Sequence, residues 1–312
     1  MKLFYYRTRS PSANFGDELN LWLWPRLLPP FDGDVRNVFV GIGTILNDDL
    51  PESLSAASRI IFFSTGVGYG NQFRLKMREN WKIYCLRGPL SAKRLNLQRS
   101  VAITDGAALL KKFFAPLPVE KRSHNVSYMP HFRHGSPALL KAVCQLAGLH
   151  FIDPSSPAET VIAEIARSRL ILSEAMHGAI VADTLRVPWI PVCSSPKILP
   201  FKWQDWCASV KVPYRPKIIK GAQRLSLADY RYPLKLWLQR QSSLRHFCSG
   251  LCMNRLRTCS TADVVQQLAE QIVAIAKTSS YLSDTEHLES LVARLEERLV
   301  VLREDIHQGV FS

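Results

Sequence analysis

Short apolar runs alternate with helix-forming stretches over the first 115 residues, break at a proline-rich segment, and then begin again. Strand-like runs fall at residues 3–6, 38–40, 59–64 and 82–86, with 101–103 after them. Several lead into Gly or Asp and then a helical stretch, as Asn14-Phe15-Gly16-Asp17 does before residues 18–27. Strands that alternate with helices imply βαβ units, and such units imply a mainly parallel sheet. Pro116, Pro118 and the charged residues 119–123 mark a linker. The alternation then restarts: strand 125–129, helix 137–147 closed by Gly148, strand 150–152, helix 158–168, strand 170–173, helix 178–185, strand 189–192. Two successive doubly wound, Rossmann-like units predict an α/β fold with lobes at residues 1–118 and 124–212 that face a cleft.

Residues 213–312 read as a basic, mostly helical C-terminal region. Pro233 suits the first turn of a helix that places Leu234, Trp237, Leu238, Leu244 and Phe247 near one face, with Lys235, Arg240 and Arg245 elsewhere. Leu288, Leu291, Leu295, Leu299, Leu302 and Ile306 recur three or four residues apart, the signature of one amphipathic helix. The net charge of +14 is concentrated: residues 201–260 hold 12 Lys or Arg against 2 Asp or Glu. Such a segment fits an anionic membrane surface or an anionic substrate. No helix-turn-helix, zinc-finger or ribonucleoprotein signature accompanies it, so no nucleic-acid partner is expected. The absence of a long apolar run and of a secretory leader points to a cytoplasmic protein. The seven cysteines match no zinc spacing, and no metal site is expected, not even at Cys248, Cys252 and Cys259.

Three cationic or protonatable residues stand in strand-to-helix loops or just beyond a strand. Arg87 lies in Leu86-Arg87-Gly88-Pro89, His177 in Ser173-Glu174-Ala175-Met176-His177-Gly178-Ala179, and Lys197 in Ser194-Ser195-Pro196-Lys197. In an open parallel sheet these loops share the ligand-binding edge. Arg offers a planar fork and Lys a point charge, and N–H groups at a helix start such as Gly178–Ala179 add anion affinity. The set fits a small, multiply charged anion. The plain alternatives are a structural hydrogen-bonding His and surface charges. The glycine-rich turns at Gly41-Ile42-Gly43-Thr44 and Gly66-Val67-Gly68-Tyr69-Gly70 permit close approach of backbone to a ligand. Neither carries the dinucleotide spacing, and no P-loop is present. Asp32-Gly33-Asp34 sits in a turn-rich segment and reads as structural.

Together these segments resemble the polysaccharide pyruvyl transferase family, its succinoglycan-type ketalases in particular. The matching pieces are Asn14-Phe15-Gly16-Asp17-Glu18-Leu19-Asn20, Gly41-Ile42-Gly43-Thr44-Ile45-Leu46, Leu86-Arg87-Gly88-Pro89, Thr104-Asp105-Gly106-Ala107, Met129-Pro130-His131 and the run 173–191, which is the most specific. The resemblance covers roughly residues 1–205. It implies a GT-B-like pair of lobes and transfer of the pyruvyl skeleton of phosphoenolpyruvate onto two hydroxyls of one sugar, with release of phosphate. The acceptor it implies is a bacterial exopolysaccharide or its lipid-linked repeat unit. Phosphoenolpyruvate is a substrate in this scheme and no cofactor is needed. The family's anion-binding residues fall on Arg87, His177 and Lys197. Many relatives carry Arg two residues before the His, where this chain has Ala175, so Arg133 is the expected second donor ligand. Asn14, Gly43, Gly68, His131 and Gly178 are expected at the substrate, His177 as general acid, and Asp17 or Asp105 as proton acceptor unless they are helix caps. A lipid-linked acceptor would give the basic 201–260 segment a place at the inner face of the plasma membrane. The rival readings are a nucleotide-sugar glycosyltransferase of polysaccharide synthesis and a non-catalytic scaffold of an export complex.

Overall fold

The computed structural model describes residues 1–6, 14–47, 50–68, 76–132, 137–196, 198–221 and 261–311. The first sheet is built from β1 (Lys2–Phe4), β2 (Asn37–Val40), β3 (Arg59–Thr65) and β4 (Trp81–Leu86), all parallel and in that spatial order. With it go α1 (Phe15–Leu27), α2 (Leu50–Ser53) and α3 (Pro89–Arg94). The side chains of β2 and β3 alternate between two apolar layers, as the pleat demands. Phe39, Ile61 and Phe63 face α1, while Val38, Val40, Ile60 and Phe62 face the layer that contains Leu50 of α2 and Ala92 of α3.

The second sheet is also parallel, in the order β6-β5-β7-β8-β9. Its strands are β5 (Ser127–Met129), β6 (His150–Phe151), β7 (Ile171–Ser173), β8 (Trp189–Cys193) and β9 (Lys217–Ile218). The helices between them are α4 (Pro137–Ala147), α5 (Ala158–Ala166), α6 (Met176–Thr184) and α7 (Pro200–Ser209). Here the chain steps outward from β5 to β6 and returns to β7 on the other side, so the strand order reverses at β5. The first sheet has no such reversal, and the doubly wound expectation holds for the second lobe alone. Residues 101–103 also differ from expectation. They follow a 3-10 turn at Arg99–Val101 and contribute one bridge, Leu86 to Ala102, because Asp105 and Gly106 turn the chain at once into a further 3-10 segment, Gly106–Lys112.

Beside the cavity between them, the two lobes share a packed seam. One continuous apolar cluster takes Phe39 and Phe63 from the first sheet, Leu109 and Leu110 from the Gly106–Lys112 turn, Ala179 and Val181 from α6, and Trp203 and Trp206 from α7. Helix α6 is buried nearly all round, from Met176 to Thr184, because it packs on β7 and β8 and on the Gly106–Lys112 turn at once. A helix apolar on every side has no face to give to solvent.

The described part of the last hundred residues is divided between the lobes. Helix α8 (Thr261–Ala276) lays Val264, Leu268, Ile272 and Ile275 against Leu140 and Val143 of α4. Helix α9 (Thr285–His307) starts at the cap Asp284, whose side chain accepts the His287 N–H at 2.8 Å. It then crosses back to the first lobe, burying Leu288, Leu291, Leu295, Leu299 and Leu302. Asp305 meets Lys82 and the Tyr84 hydroxyl on β4, Glu289 and Glu296 meet Lys111 and Lys112, and Arg303 donates to the Leu27 carbonyl. The helix expected from Pro233, and Cys248, Cys252 and Cys259, lie outside the described residues. No helix among the described residues is long and apolar enough to cross a membrane.

Leu295 is fully buried in the α9 contact. Leu295→Ala is expected to cost about 2–5 kcal/mol. The loss should appear as a lower midpoint in urea denaturation followed by tryptophan fluorescence; an unchanged midpoint would mean that α9 is not part of the cooperative unit.

Candidate active site

Both sheets present their C-terminal strand ends to the same seam, and the strand-to-helix loops meet there. A cavity of about 360 Å³ opens between them, with Asn14, Asp17, Thr44, Phe132, His177 and Lys202 among its lining residues. A volume of this size accommodates a small ligand.

The α1 side is set by Asn20. Its amide oxygen accepts from the Ile42 N–H and the Trp24 indole at 2.8 Å each, while its nitrogen donates to the carbonyls of Ile42 and Asp17. These four bonds lock the start of α1 to the loop after β2. That loop turns at Gly43, where φ is +142°, a conformation open to glycine and strained for other residues. Asn14 precedes the helix without capping it; its side chain donates to Asp17 Oδ2 at 2.6 Å. The Asp17 carboxyl is raised above its ordinary value, chiefly because burial strips its water. The Asn14 bond and the fields of His177 and Lys202 pull it down without cancelling the rise.

His177 is held from behind. Its Nε2 lies 3.5 Å from Oδ2 of Asp105, a fully buried carboxylate. The other oxygen of Asp105 accepts the Ala107 N–H at 3.0 Å, so Asp105 caps the following turn as well as facing the imidazole. The Nδ1 edge of the ring presses on α1: a Cβ built on Gly16 would fall 2.0 Å from Nδ1. Any other residue at position 16 would push His177 out of place. The Asp105 carboxylate on one side and α1 on the other together set the orientation of the ring. His177 therefore lines the cavity as an oriented imidazole.

Arg87 has a different place from the clamp expected of it. The side chain is fully buried, and its Nε donates to Asp205 Oδ2 at 3.2 Å. Its Nη1 donates to the Thr44 hydroxyl at 2.7 Å and its Nη2 to the Val67 carbonyl at 3.3 Å. Asp205, on α7, also accepts from the Leu90 and Ser91 N–H groups at 2.9 Å and from the Ser91 hydroxyl. Arg87 thus stands one layer behind the cavity wall and acts on it through Thr44.

A sequence comparison decides the family. A model of the polysaccharide pyruvyl transferase family matches residues 37–195. The chain is also 39% identical over 228 residues to the succinoglycan biosynthesis protein ExoV of Rhizobium meliloti (strain 1021), an alignment covering 72% of this chain and 69% of that relative. The chain belongs to the polysaccharide pyruvyl transferase family. As a polysaccharide pyruvyl transferase family member it brings together only some of the residues that the sequence singled out. His177, Asp17, Asn14 and Gly43 line one cavity, with Asp105 behind His177. Gly68 lies behind the wall, where a Cβ would fall 2.4 Å from the Thr44 methyl carbon. Gly178 is a packing residue: a Cβ there would meet Met129 Sδ and Ser173 Oγ at 2.5 Å. The N–H groups of Gly178 and Ala179 both donate to the Ala175 carbonyl, so they offer no anion cradle. His131 is buried beside Phe132, and its backbone N–H donates to Glu174 at 3.1 Å. Lys197 and Arg133 lie outside the described residues. Asp32 and Asp34 sit in an exposed turn, Asp32 on the N-terminal amine and Asp34 on Arg36, remote from the cavity lining.

Lys202 was not singled out by the sequence. It lies in the first turn of α7 with only 9% of its surface exposed, and it lines the cavity. The available signal was a lysine between Phe201 and Trp203 just after Pro200, in a stretch whose aromatic neighbours predict burial.

Two outcomes follow from this geometry. Asp205→Ala leaves the Arg87 guanidinium buried without its counter-charge, at a cost of about 3–5 kcal/mol; calorimetry should show a melting temperature lower by on the order of 10 °C. Ionising Asp17 costs stability because its folded-state value is raised. The cost is absent below the ordinary value of 3.8 and grows as pH climbs through the raised one. Asp17→Asn removes it, so the variant should gain melting temperature on the wild type as pH goes from about 4 to 8. Parallel curves would mean that the carboxyl is unshifted.

Proposed function

We propose that this chain transfers the pyruvyl group of phosphoenolpyruvate onto two hydroxyls of one sugar in a bacterial exopolysaccharide or its lipid-linked repeat unit. The observation that carries the reading is the joint presence of an Asp105-backed His177, an Asp17 carboxyl raised above its ordinary value by burial, and the buried cation Lys202 at one small cavity.

The donor combines a carboxylate, a phosphate and a carbon–carbon double bond. Lys202 supplies a positive charge in a mostly dry setting, where it attracts such an anion more strongly than in water. Lys197 and Arg133 are the further cations assigned to it from the sequence. A proton delivered to the methylene carbon turns the double bond into a methyl group and leaves the central carbon cationic. A sugar hydroxyl adds there and gives up its proton. The carbon–oxygen bond to phosphate then breaks, phosphate departs with the bonding pair, and the neighbouring hydroxyl closes the ketal as it loses its own proton. One hydroxyl proton replaces the one given to the methylene carbon, and the other leaves with phosphate.

Asp17 suits the first delivery, since burial keeps its proton on at a higher pH than an ordinary aspartate. His177 suits the exchange with phosphate and hydroxyl, since an imidazole can both give and take a proton and Asp105 lies against its ring. Asn14, bonded to Asp17, orients that carboxyl. Arg87 holds Thr44, and with it the wall facing the sugar. The basic 201–260 segment gives the enzyme an affinity for the anionic inner leaflet where lipid-linked acceptors reside.

Wild-type protein incubated with phosphoenolpyruvate and an oligosaccharide acceptor is expected to release phosphate. His177→Ala and Asp17→Asn should each lower the rate about 100-fold or more, the usual scale for a lost acid or base. Asp105→Asn should reduce the rate less and shift the pH profile. Phosphate release that survives His177→Ala undiminished would sink the mechanism. Thermal protection by a uridine-diphosphate sugar but not by phosphoenolpyruvate would sink the choice of donor.

A further inference from the structure

A second cavity, of about 410 Å³, lies at the other end of α7 from Lys202. Four parts of the chain form it: Pro89 at the start of α3, residues 99–103 at and after the Arg99–Val101 turn, Ala208 to Lys211 at the end of α7, and the first half of α9. Its charged and protonatable lining consists of Arg99, Lys211, His287 and Arg294, and no acidic residue lines it. Arg99 and Lys211 are exposed and have neither an ion pair nor a side-chain hydrogen bond among the described residues. Arg294 is braced: its Nη2 donates to the carbonyls of Ser100 and Ala102 at 3.2 and 3.5 Å. Its Nε and Nη1 have no acceptor among the described residues. His287 Nε2 sits 2.9 Å from the Ser209 carbonyl. A carbonyl can only accept, so Nε2 carries hydrogen and Nδ1 is left to respond to a ligand.

We propose that this cavity is a second anion site, distinct from the catalytic one, for a phosphate-bearing ligand. Three cations drawn together from three separate segments repel one another, and a bound oxyanion removes that repulsion. Two arginines and a lysine match the several oxygens of a phosphate group, which accept from forked and single donors together. The cavity is larger than one phosphate needs, so the ligand carries a second phosphate or an organic portion beside it. The two sites are separate: Lys202 and Ser209 are seven residues apart on one helix, roughly 10 Å at the α-helical rise. A ligand here would also pin α9 to the end of α7, joining the segments that Arg294 and His287 already link.

Inorganic pyrophosphate is the probe. Titration calorimetry at low salt compares wild-type protein, Lys202→Ala, and the double variant Arg99→Ser with Lys211→Ser, whose substituted side chains are exposed and outside the catalytic cavity. Binding should persist in Lys202→Ala and weaken about tenfold or more in the double variant, the effect of losing two charged contacts. Binding equal to wild type in the double variant, or absent from Lys202→Ala, would overturn the proposal. Phosphate release from phosphoenolpyruvate is measured on the same samples, so a failed second site is told apart from a failed catalytic assignment. A second arm uses phosphatidylcholine vesicles containing phosphatidic acid. Co-sedimentation reduced in the double variant, alongside its weaker pyrophosphate binding, identifies the phosphate as a lipid headgroup's. Unchanged co-sedimentation with weaker pyrophosphate binding identifies a soluble ligand.

Discussion

The buried pair of Arg87 and Asp205 is the constraint around which the seam is organised. A guanidinium in a dry interior is tolerable only if a carboxylate and enough acceptors surround it. Asp205 supplies the charge, while the Thr44 hydroxyl and the Val67 carbonyl supply further acceptors. Because Asp205 belongs to α7 and Arg87 follows β4, meeting this demand fixes one lobe against the other. The same carboxylate takes up the free N–H groups at the start of α3, a favourable place for negative charge. Neighbouring glycines make room for the pair. A Cβ at Gly66 would fall 2.2 Å from the guanidinium carbon, and one at Gly88 would fall 2.1 Å from the Asp205 carbonyl oxygen. The position of Lys202, one turn before Asp205 on the same helix, follows from this anchoring.

The cavity lined by His177 and Asp17 inherits its geometry from that seam. His177 enters on α6, which packs on the first lobe through the Gly106–Lys112 turn, and Asp105 is the residue that caps this turn. One carboxylate therefore caps a turn with one oxygen and faces the imidazole with the other. Asp17 comes from α1, which Asn20 ties to the loop after β2. The acidic, basic and imidazole groups are thus delivered by three elements, each fixed by buried polar contacts of its own, an arrangement that limits their relative motion.

Much of the fold was legible because it rests on local patterns. The apolar runs that became β2, β3, β4, β7 and β8, the helix 137–147 and the leucine repeat of α9 are all readable from nearest neighbours. Strand order was not, since a parallel sheet with βα connections can be laid down in one direction or with a reversal, and local sequence is the same in both. The cavity lining was legible at His177, Asp17, Asn14 and Gly43, whose motifs place them at strand or helix ends. Arg87 was misplaced because its surroundings depend on Asp205, 118 positions away. In isolation, an arginine after a strand looks equally suited to a ligand. Lys202 was overlooked for the opposite reason: its burial comes from the tertiary docking of α7, which no periodicity announces.

Helix α9 covers the first sheet from nearly two hundred residues downstream of β4. During synthesis at about 5–20 residues per second, that interval lasts on the order of ten seconds or more. Throughout it, the part of the first lobe that α9 covers, on β4 and beside the Gly106–Lys112 turn, lacks that cover. The first lobe therefore reaches its full packing only once the C-terminal part of the chain has been made.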